Sequence, residues 1–363
     1  MVKYNWPVIT EEMKEAVVAV LEGNFHPPGE QTIAFEEEFA KFCGAKHAIA
    51  LSSGTAALHL SALALGIKKG DEVITPSNSM SSSGDSILFV GATPIFVDID
   101  EKTYNIDSNK IEEKITSKTK AIQPVHMYGY PVDMDPILEL AEEKDLLVFD
   151  DACHSNGCKY KKNRIGNMGD ITSFSFVSKS MTVGGDGGMV ATNNEDLAES
   201  VYMLRRHGRN RKGDQVKLGY NYRIGEMAAA IGRLQLKKLD KWNDQRRIHA
   251  KLYSDLLEDT PVKCPIEMDW AHPVYLNYVI TAPKRDDLKK FLHERGIQSR
   301  NPYPPLHTLP YYIERFGDLT GKMPLTENHQ KNALGLPVYP TMTTEDIEEV
   351  ANIVKDFYKN HPN

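Results

Sequence analysis

The sequence predicts an α/β protein: a mostly parallel, doubly wound sheet with helices on both faces, followed by a smaller C-terminal domain. Two patterns carry this expectation. Short apolar runs bounded by turn residues alternate with amphipathic stretches, as in strand–helix–strand units that build a parallel sheet. After a long helical stretch over residues 225–257, the text changes to Pro273-Val274-Tyr275-Leu276-Asn277-Tyr278-Val279-Ile280, which alternates like a half-exposed antiparallel strand. The division is placed at 1–245 for the large domain and 246–363 for the small one.

In chain order, residues 10–22 and 32–42 have the apolar spacing of amphipathic helices. Residues 48–51 form a strand that turns through Ser52-Ser53-Gly54-Thr55 into an Ala/Leu-rich helix. Amides at a helix start, with hydroxyls beside them, cradle an anion. Ser53 or Thr55 would equally serve as an ordinary N-cap. Strands are expected at 73–76, ahead of a Ser-rich loop, and at 94–98 and 121–125.

Leu146-Leu147-Val148-Phe149 is too short for a helix and ends in Asp150-Asp151-Ala152-Cys153-His154. Ligands of open α/β sheets sit at the carboxyl ends of the strands, so Asp151 faces a site. A buried carboxylate needs a partner, and a protonated pyridine nitrogen is one. A helix N-cap is the alternative role. The alternation Ser173-Phe174-Ser175-Phe176-Val177-Ser178 stops at Lys179, and Gly184-Gly185-Asp186-Gly187-Gly188 follows, leading into a strand at 188–192. A partly desolvated lysine at a strand end can lose its proton and attack a carbonyl. An anion seat, a pyridinium partner and a reactive amine, in that order, are the equipment of a pyridoxal phosphate enzyme.

The 363 residues suffice for a large core and two domains. A net charge of −7 argues against a nucleic-acid partner. Cys43, Cys153, Cys158 and Cys264 lack zinc-ligand spacing and read as free thiols in a reducing compartment. No metal is expected. The start, Met1-Val2-Lys3-Tyr4-Asn5-Trp6-Pro7, has no apolar signal core, and no stretch is long enough to span a membrane, so a cytoplasmic location is expected.

The ordered markers resemble the DegT/DnrJ/EryC1/StrS sugar aminotransferases, of the aspartate aminotransferase fold (fold type I), over nearly the whole chain. They are Ser53-Gly54-Thr55-Ala56-Ala57-Leu58, Gly70-Asp71-Glu72-Val73-Ile74-Thr75-Pro76-Ser77, Gly91-Ala92-Thr93-Pro94-Ile95-Phe96-Val97-Asp98, Pro124-Val125-His126-Met127-Tyr128-Gly129, the Asp150–His154 run, Ser178-Lys179 and Gly219-Tyr220-Asn221-Tyr222-Arg223. The resemblance implies a seven-stranded sheet, a smaller α+β domain and pyridoxal phosphate as cofactor. It implies that Lys179 binds the cofactor covalently and shuttles protons, that Asp151 keeps the pyridine nitrogen protonated and that His154 contacts the phenolic oxygen. Gly54, Thr55 and Ser178 would hold the phosphate. Asn221 would reach the phosphate in the neighbouring subunit of a homodimer, and Arg223 would help hold the anionic substrate. The implied reaction converts a keto sugar, expected as its nucleotide conjugate, to an amino sugar with glutamate as donor. Alternatives are a cyclitol ketone as substrate, a sugar dehydratase, or a regulator that binds the cofactor without turnover.

The chain departs from the family pattern at three places. Met80 occupies the slot of an aromatic that stacks on the ring; thioether sulfur also contacts rings favourably, and Met80 would equally fill a core. Two residues, Val177 and Ser178, separate Phe176 from the lysine where the family has three, so an ungapped alignment would bring Ser180 to that slot. Spacing to Asp186 restores Lys179. The turn with Asp186 resembles members that aminate C3 of a keto sugar. Further along, the basic run 205–212 would hold a diphosphate or form a solvated loop. His307 is expected to be structural.

Overall fold

The computed structural model describes residues 1–23, 25–177 and 181–361. Seven strands form one sheet: β1 (His47–Leu51), β2 (Glu72–Pro76), β3 (Thr93–Val97), β4 (Thr119–Ile122), β5 (Leu147–Asp151), β6 (Ile171–Ser175) and β7 (Gly188–Thr192), in the order β1-β7-β6-β5-β4-β2-β3. β2 through β6 run parallel. Only β7 opposes its neighbours, which returns β1 to the common direction. The expected mostly parallel sheet is therefore present.

Both faces are covered, so the strands are apolar runs rather than half-polar ones. Alternate residues of each strand go to opposite layers. Ala48 and Ala50 of β1 face a core that includes α2 (Glu30–Cys43), α5 (Asp135–Lys144) and α7 (Glu226–Leu257). Ile49 and Leu51 face α3 (Gly54–Ala64), α4 (Ser81–Phe89) and α6 (Glu195–Leu204). The remaining helix of the first half, α1 (Glu11–Glu22), packs against α7.

Two sequence expectations need adjustment here. The Ser-rich loop expected over 76–83 is shorter than that, because α4 already begins at Ser81. Within α7 the apolar spacing of Ile231, Leu234, Leu236 and Leu239 predicts an inward face, and this is only half right. Leu236 and Leu239 are buried, but Ile231 and Leu234 are half-exposed, and Gly232 and Gln235 take the inner positions. The reason is close approach: a Cβ on Gly232 would lie 2.8 Å from the Phe35 ring, so α2 meets α7 at the glycine.

A second core gathers Tyr253 and Leu257 of α7 with β8 (Tyr278–Thr281), β9 (Ala333–Leu336), α8 (Arg285–Glu294) and the C-terminal α11 (Thr344–Asn360). β8 and β9 are antiparallel. The strand expected over 273–280 pairs only from Tyr278. Before that, the Val274 amide donates to the Gly129 carbonyl at 2.8 Å and the Asn277 amide to Tyr128 at 3.2 Å, so the alternation reflects burial against the first unit. α7 contributes to both cores, with Ala229, Leu236 and Leu239 in the first and Ala250, Tyr253 and Leu257 in the second. Val2 also packs in the second core, with its amide on the Gly296 carbonyl at 2.9 Å. Between α8 and α11 lie α9 (Pro310–Phe316) and α10 (Pro324–Asn332). No helix among the described residues is long and apolar enough to cross a membrane.

Candidate active site

The site lies at the carboxyl ends of β1, β5 and β6. β1 ends at Leu51, and the chain turns into α3 with Ser53 as N-cap, its Oγ accepting from the Ala56 amide at 3.1 Å. That cap leaves the Gly54 and Thr55 amides with no intrahelical carbonyl to reach. Gly54 is required by crowding: a Cβ there would stand 2.7 Å from Ser175 Cβ and 3.0 Å from Cys153 Sγ. Three strand ends therefore touch at Gly54. Gly188 closes the same corner, since a Cβ on it would fall 2.2 Å from the Ser53 carbonyl oxygen.

Asp151 is the last residue of β5 and is buried. Its Oδ2 accepts from Ser83 Oγ at 2.6 Å and its Oδ1 from the Cys153 amide at 3.0 Å. Burial pushes its pKa up, and these two donors oppose the rise. Each carboxylate oxygen keeps lone-pair capacity for one more donor. Asp151 is not a helix N-cap: the next element is a short hairpin-like segment around Lys159–Tyr160 and Asn163–Arg164.

Asp150 points to the other layer, where Thr172 Oγ1 donates to its Oδ2 at 3.0 Å. Burial pushes its pKa up to about 7, so it is largely protonated below neutrality and spares the site a second negative charge. This is a stability statement. The folded-state pKa is above the unfolded one, so Asp150's contribution is complete below about pH 4 and is lost as pH rises through about 7. Raising the pH from 4 to 7 should therefore cost the wild type a few kcal/mol at most that Asp150→Asn does not lose. Thermal melts of both proteins across that range check it, because the difference between them cancels the other titrating groups. Parallel curves would contradict it.

β6 sorts its side chains by alternation. Phe174 and Phe176 pack with Phe35 and Phe39, ring centroids 5.0–5.5 Å apart. Ser173 and Ser175 face α3, with Ser173 Oγ 2.9 Å from Ser61 Oγ. Asn156 Nδ2 holds the strand's last carbonyl, that of Ser175, at 2.8 Å. Beyond it Phe176 is buried and Val177 is half-exposed, and on the far side Met181 is buried. Ser178, Lys179 and Ser180 lie outside the described residues.

The other expected site residues are placed as follows. Met80 is the N-cap residue of α4 and is 45% exposed, which removes the core-filler alternative. His154 lies three residues past Asp151 with its ring against Tyr303 of the second unit, centroids 6.0 Å apart and 25° between planes. Tyr220 and Tyr222 pack on His59 of α3, so the alternating Asn221 and Arg223 turn the other way. Asn221 is exposed, and its Oδ1 accepts from Arg223 Nη2 at 3.0 Å; Arg223 Nη1 also donates to the Pro27 carbonyl at 3.2 Å. The Ser52 amide donates to the Tyr222 carbonyl at 2.8 Å, so this segment lies directly beside the turn into α3.

The basic run does not act as one surface. Arg205 is buried, with Nη1 on Glu36 and on the Ala50 carbonyl. Arg211 pairs with Glu199 at 2.9 Å. His307 is structural, as expected: Nδ1 lies 2.6 Å from Ser77 Oγ and Nε2 3.1 Å from Glu327. It ties the second unit to the loop ahead of α4. Sequence reasoning missed Ser79, Ser83, Ser175 and Tyr303. Only Ser175 left a signal, as a polar member of the β6 alternation.

The arrangement fits pyridoxal phosphate. The Gly54 corner is a cradle that a methyl group would fill, Asp151 is a buried carboxylate with lone pairs left for a cationic donor, and the β6 end leads in sequence to the lysine. Gly54→Ala is expected to cost about 1–3 kcal/mol of stability through overpacking and to weaken cofactor binding about tenfold or more. Titration of the apoprotein with cofactor, alongside a melt, checks both.

A family model described as the DegT/DnrJ/EryC1/StrS aminotransferase family matches residues 7–355. A protein of Geobacillus stearothermophilus named pleiotropic regulatory protein is 38% identical, with 96% of each chain covered. The dTDP-3-amino-3,6-dideoxy-alpha-D-galactopyranose transaminase of Aneurinibacillus thermoaerophilus is 37% identical, covering 96% of this chain and 95% of the relative. Among solved structures, DesV of Streptomyces venezuelae superimposes with a TM-score of 0.93 at 35% identity, over 95% of this chain and 94% of that one.

Proposed function

This chain belongs to the DegT/DnrJ/EryC1/StrS aminotransferase family, and on that premise we propose that it transfers an amino group from glutamate to a nucleotide-linked keto sugar. The observation that carries the reading is the buried Asp151 at the strand ends, beside an α3 start too crowded for any side chain at Gly54. Bound pyridoxal phosphate supplies an aldehyde that exchanges oxygen for an amine, and a protonated ring that withdraws electrons from the reacting carbon.

The chain supplies the rest. Lys179 holds the cofactor through its amine and carries a proton to and from the reacting carbon, so it alternates between two protonation states. Asp151 holds a proton on the ring nitrogen, because a carboxylate in a dry site favours a cationic partner. The Gly54 and Thr55 amides, with Ser178, hold the phosphate at the α3 start. His154 would contact the cofactor's phenolic oxygen, and the Met80 thioether would help cover its ring. Arg223 holds an anionic part of the substrate. Asn221, exposed in the single chain, serves the site of a second copy, which makes the enzyme a homodimer with shared sites. Amination at C3 is supported by the Asp186-containing turn and by the name of the Aneurinibacillus relative. The enzyme works in the cytoplasm, in polysaccharide or glycan biosynthesis.

The test is incubation of the holoprotein with glutamate and a panel of GDP-, UDP- and dTDP-linked 3-keto and 4-keto sugars. Mass spectrometry should find 2-oxoglutarate and one amino sugar in equal amounts. Cofactor binding without 2-oxoglutarate from any pair would favour the regulator reading, which the name of the Geobacillus relative keeps in view.

A further inference from the structure

Asp151 does not meet its ligand alone. Its Oδ2 accepts from Ser83 Oγ at 2.6 Å, and Ser83 Oγ lies 2.6 Å from Ser79 Oγ. Ser83 has one hydroxyl proton and gives it to the carboxylate, so Ser79 must be the donor in the second bond. The two hydroxyls therefore form a directed chain, Ser79 to Ser83 to Asp151, with every proton pointing at the carboxylate.

The chain is built into the fold. Ser79 and Ser83 are almost wholly buried. Ser83 lies in the first turn of α4, where its amide donates to the Met80 carbonyl at 3.1 Å and its carbonyl accepts from Ser86 Oγ at 2.8 Å. The second unit clamps this turn from above. Tyr312 of α9 donates to Asp85 at 2.9 Å, and a Cβ on Gly84 would lie 2.4 Å from its hydroxyl oxygen. His307 fixes Ser77, whose carbonyl accepts from the Ser79 amide at 3.1 Å. Neither hydroxyl can swing to solvent.

A proton shared between a ring nitrogen and a carboxylate sits on whichever group binds it more tightly. Burial makes Asp151 a stronger base and draws the proton off the nitrogen. Hydroxyls donating to the carboxylate make it a weaker base, and a polarised chain does so more than a single bond. We propose that Ser83, backed by Ser79, is the positioning pair that keeps the shared proton on the cofactor's ring nitrogen rather than on Asp151. This rests on the pairing of Asp151 with that nitrogen.

The test uses holoenzyme loaded with cofactor labelled with ¹⁵N in the ring, whose chemical shift reports protonation directly. Ser83→Ala should move the shift toward the unprotonated value, lower kcat about tenfold or more with KM nearly unchanged, and weaken cofactor binding. Ser79→Ala should change all of these in the same direction but less. Ser83→Thr keeps the hydroxyl and should restore the wild-type shift. A packing role alone would leave the shift in place whatever happened to stability. If Asp151→Asn deprotonates the nitrogen but Ser83→Ala leaves its shift unchanged, the proposal about the hydroxyls is overturned and the Asp151 pairing stands. If Asp151→Asn itself leaves the nitrogen protonated, the pairing falls and the proposal with it.

Discussion

Replacing Lys179 by alanine is expected to abolish transamination, by about 10³-fold or more, while the protein folds and melts as the wild type does. Two roles are lost together, because the same amine holds the cofactor and moves the proton at the reacting carbon. The flanking buried residues, Phe176 and Met181, are not touched, so the core has no reason to change. A small primary amine added to Lys179→Ala should restore part of the rate, since it replaces the proton carrier without the tether. Ser180→Ala should retain activity, which separates the lysine from its neighbour in the family's usual spacing. Single-turnover assays with glutamate, read as 2-oxoglutarate formed, check all three. Near-normal turnover in Lys179→Ala would mean that a different amine does the chemistry.

Asp151→Asn is the second large effect. The amide has nearly the carboxylate's shape but no charge to hold a proton on the ring nitrogen. Truncating a buried charge pair costs about 2–5 kcal/mol, which corresponds to roughly 30- to 5000-fold in rate. The loss should fall on kcat, because the pairing matters most where electron density enters the ring. Stability should change little or rise, because a buried charge disappears. Steady-state kinetics with a melting curve distinguish this from unfolding. A variant within threefold of the wild-type rate would contradict the pairing.

The strand ends of the site were legible in the sequence because burial on both faces leaves a strand as an uninterrupted apolar run, and the run's end marks the ligand side. Asp151 after Leu147-Val148-Phe149-Asp150 and Gly54 after Ala48–Leu51 were found that way. The hydroxyl pair was not. Ser81-Ser82-Ser83-Gly84 has poor helix propensity, and local rules favour a loop there. α4 forms because Ile87 joins the core over the sheet and Tyr312, far along the chain, closes over Gly84, and neither contact can be read from the local sequence. The basic run misled in the opposite direction. Composition presents Arg205 as one of several surface cations, whereas the end of α6 turns it inward to Glu36. Likewise Tyr303 belongs to the second unit, and nothing local announces that it meets His154.

The amine between β6 and β7 is expected to carry pyridoxal phosphate. Borohydride reduction of the holoprotein, followed by proteolysis and mass spectrometry, measures it most directly. A stable cofactor adduct on the peptide containing Lys179, and on no other lysine, is the predicted result. An adduct elsewhere, or none in protein that retains bound cofactor, would contradict the account.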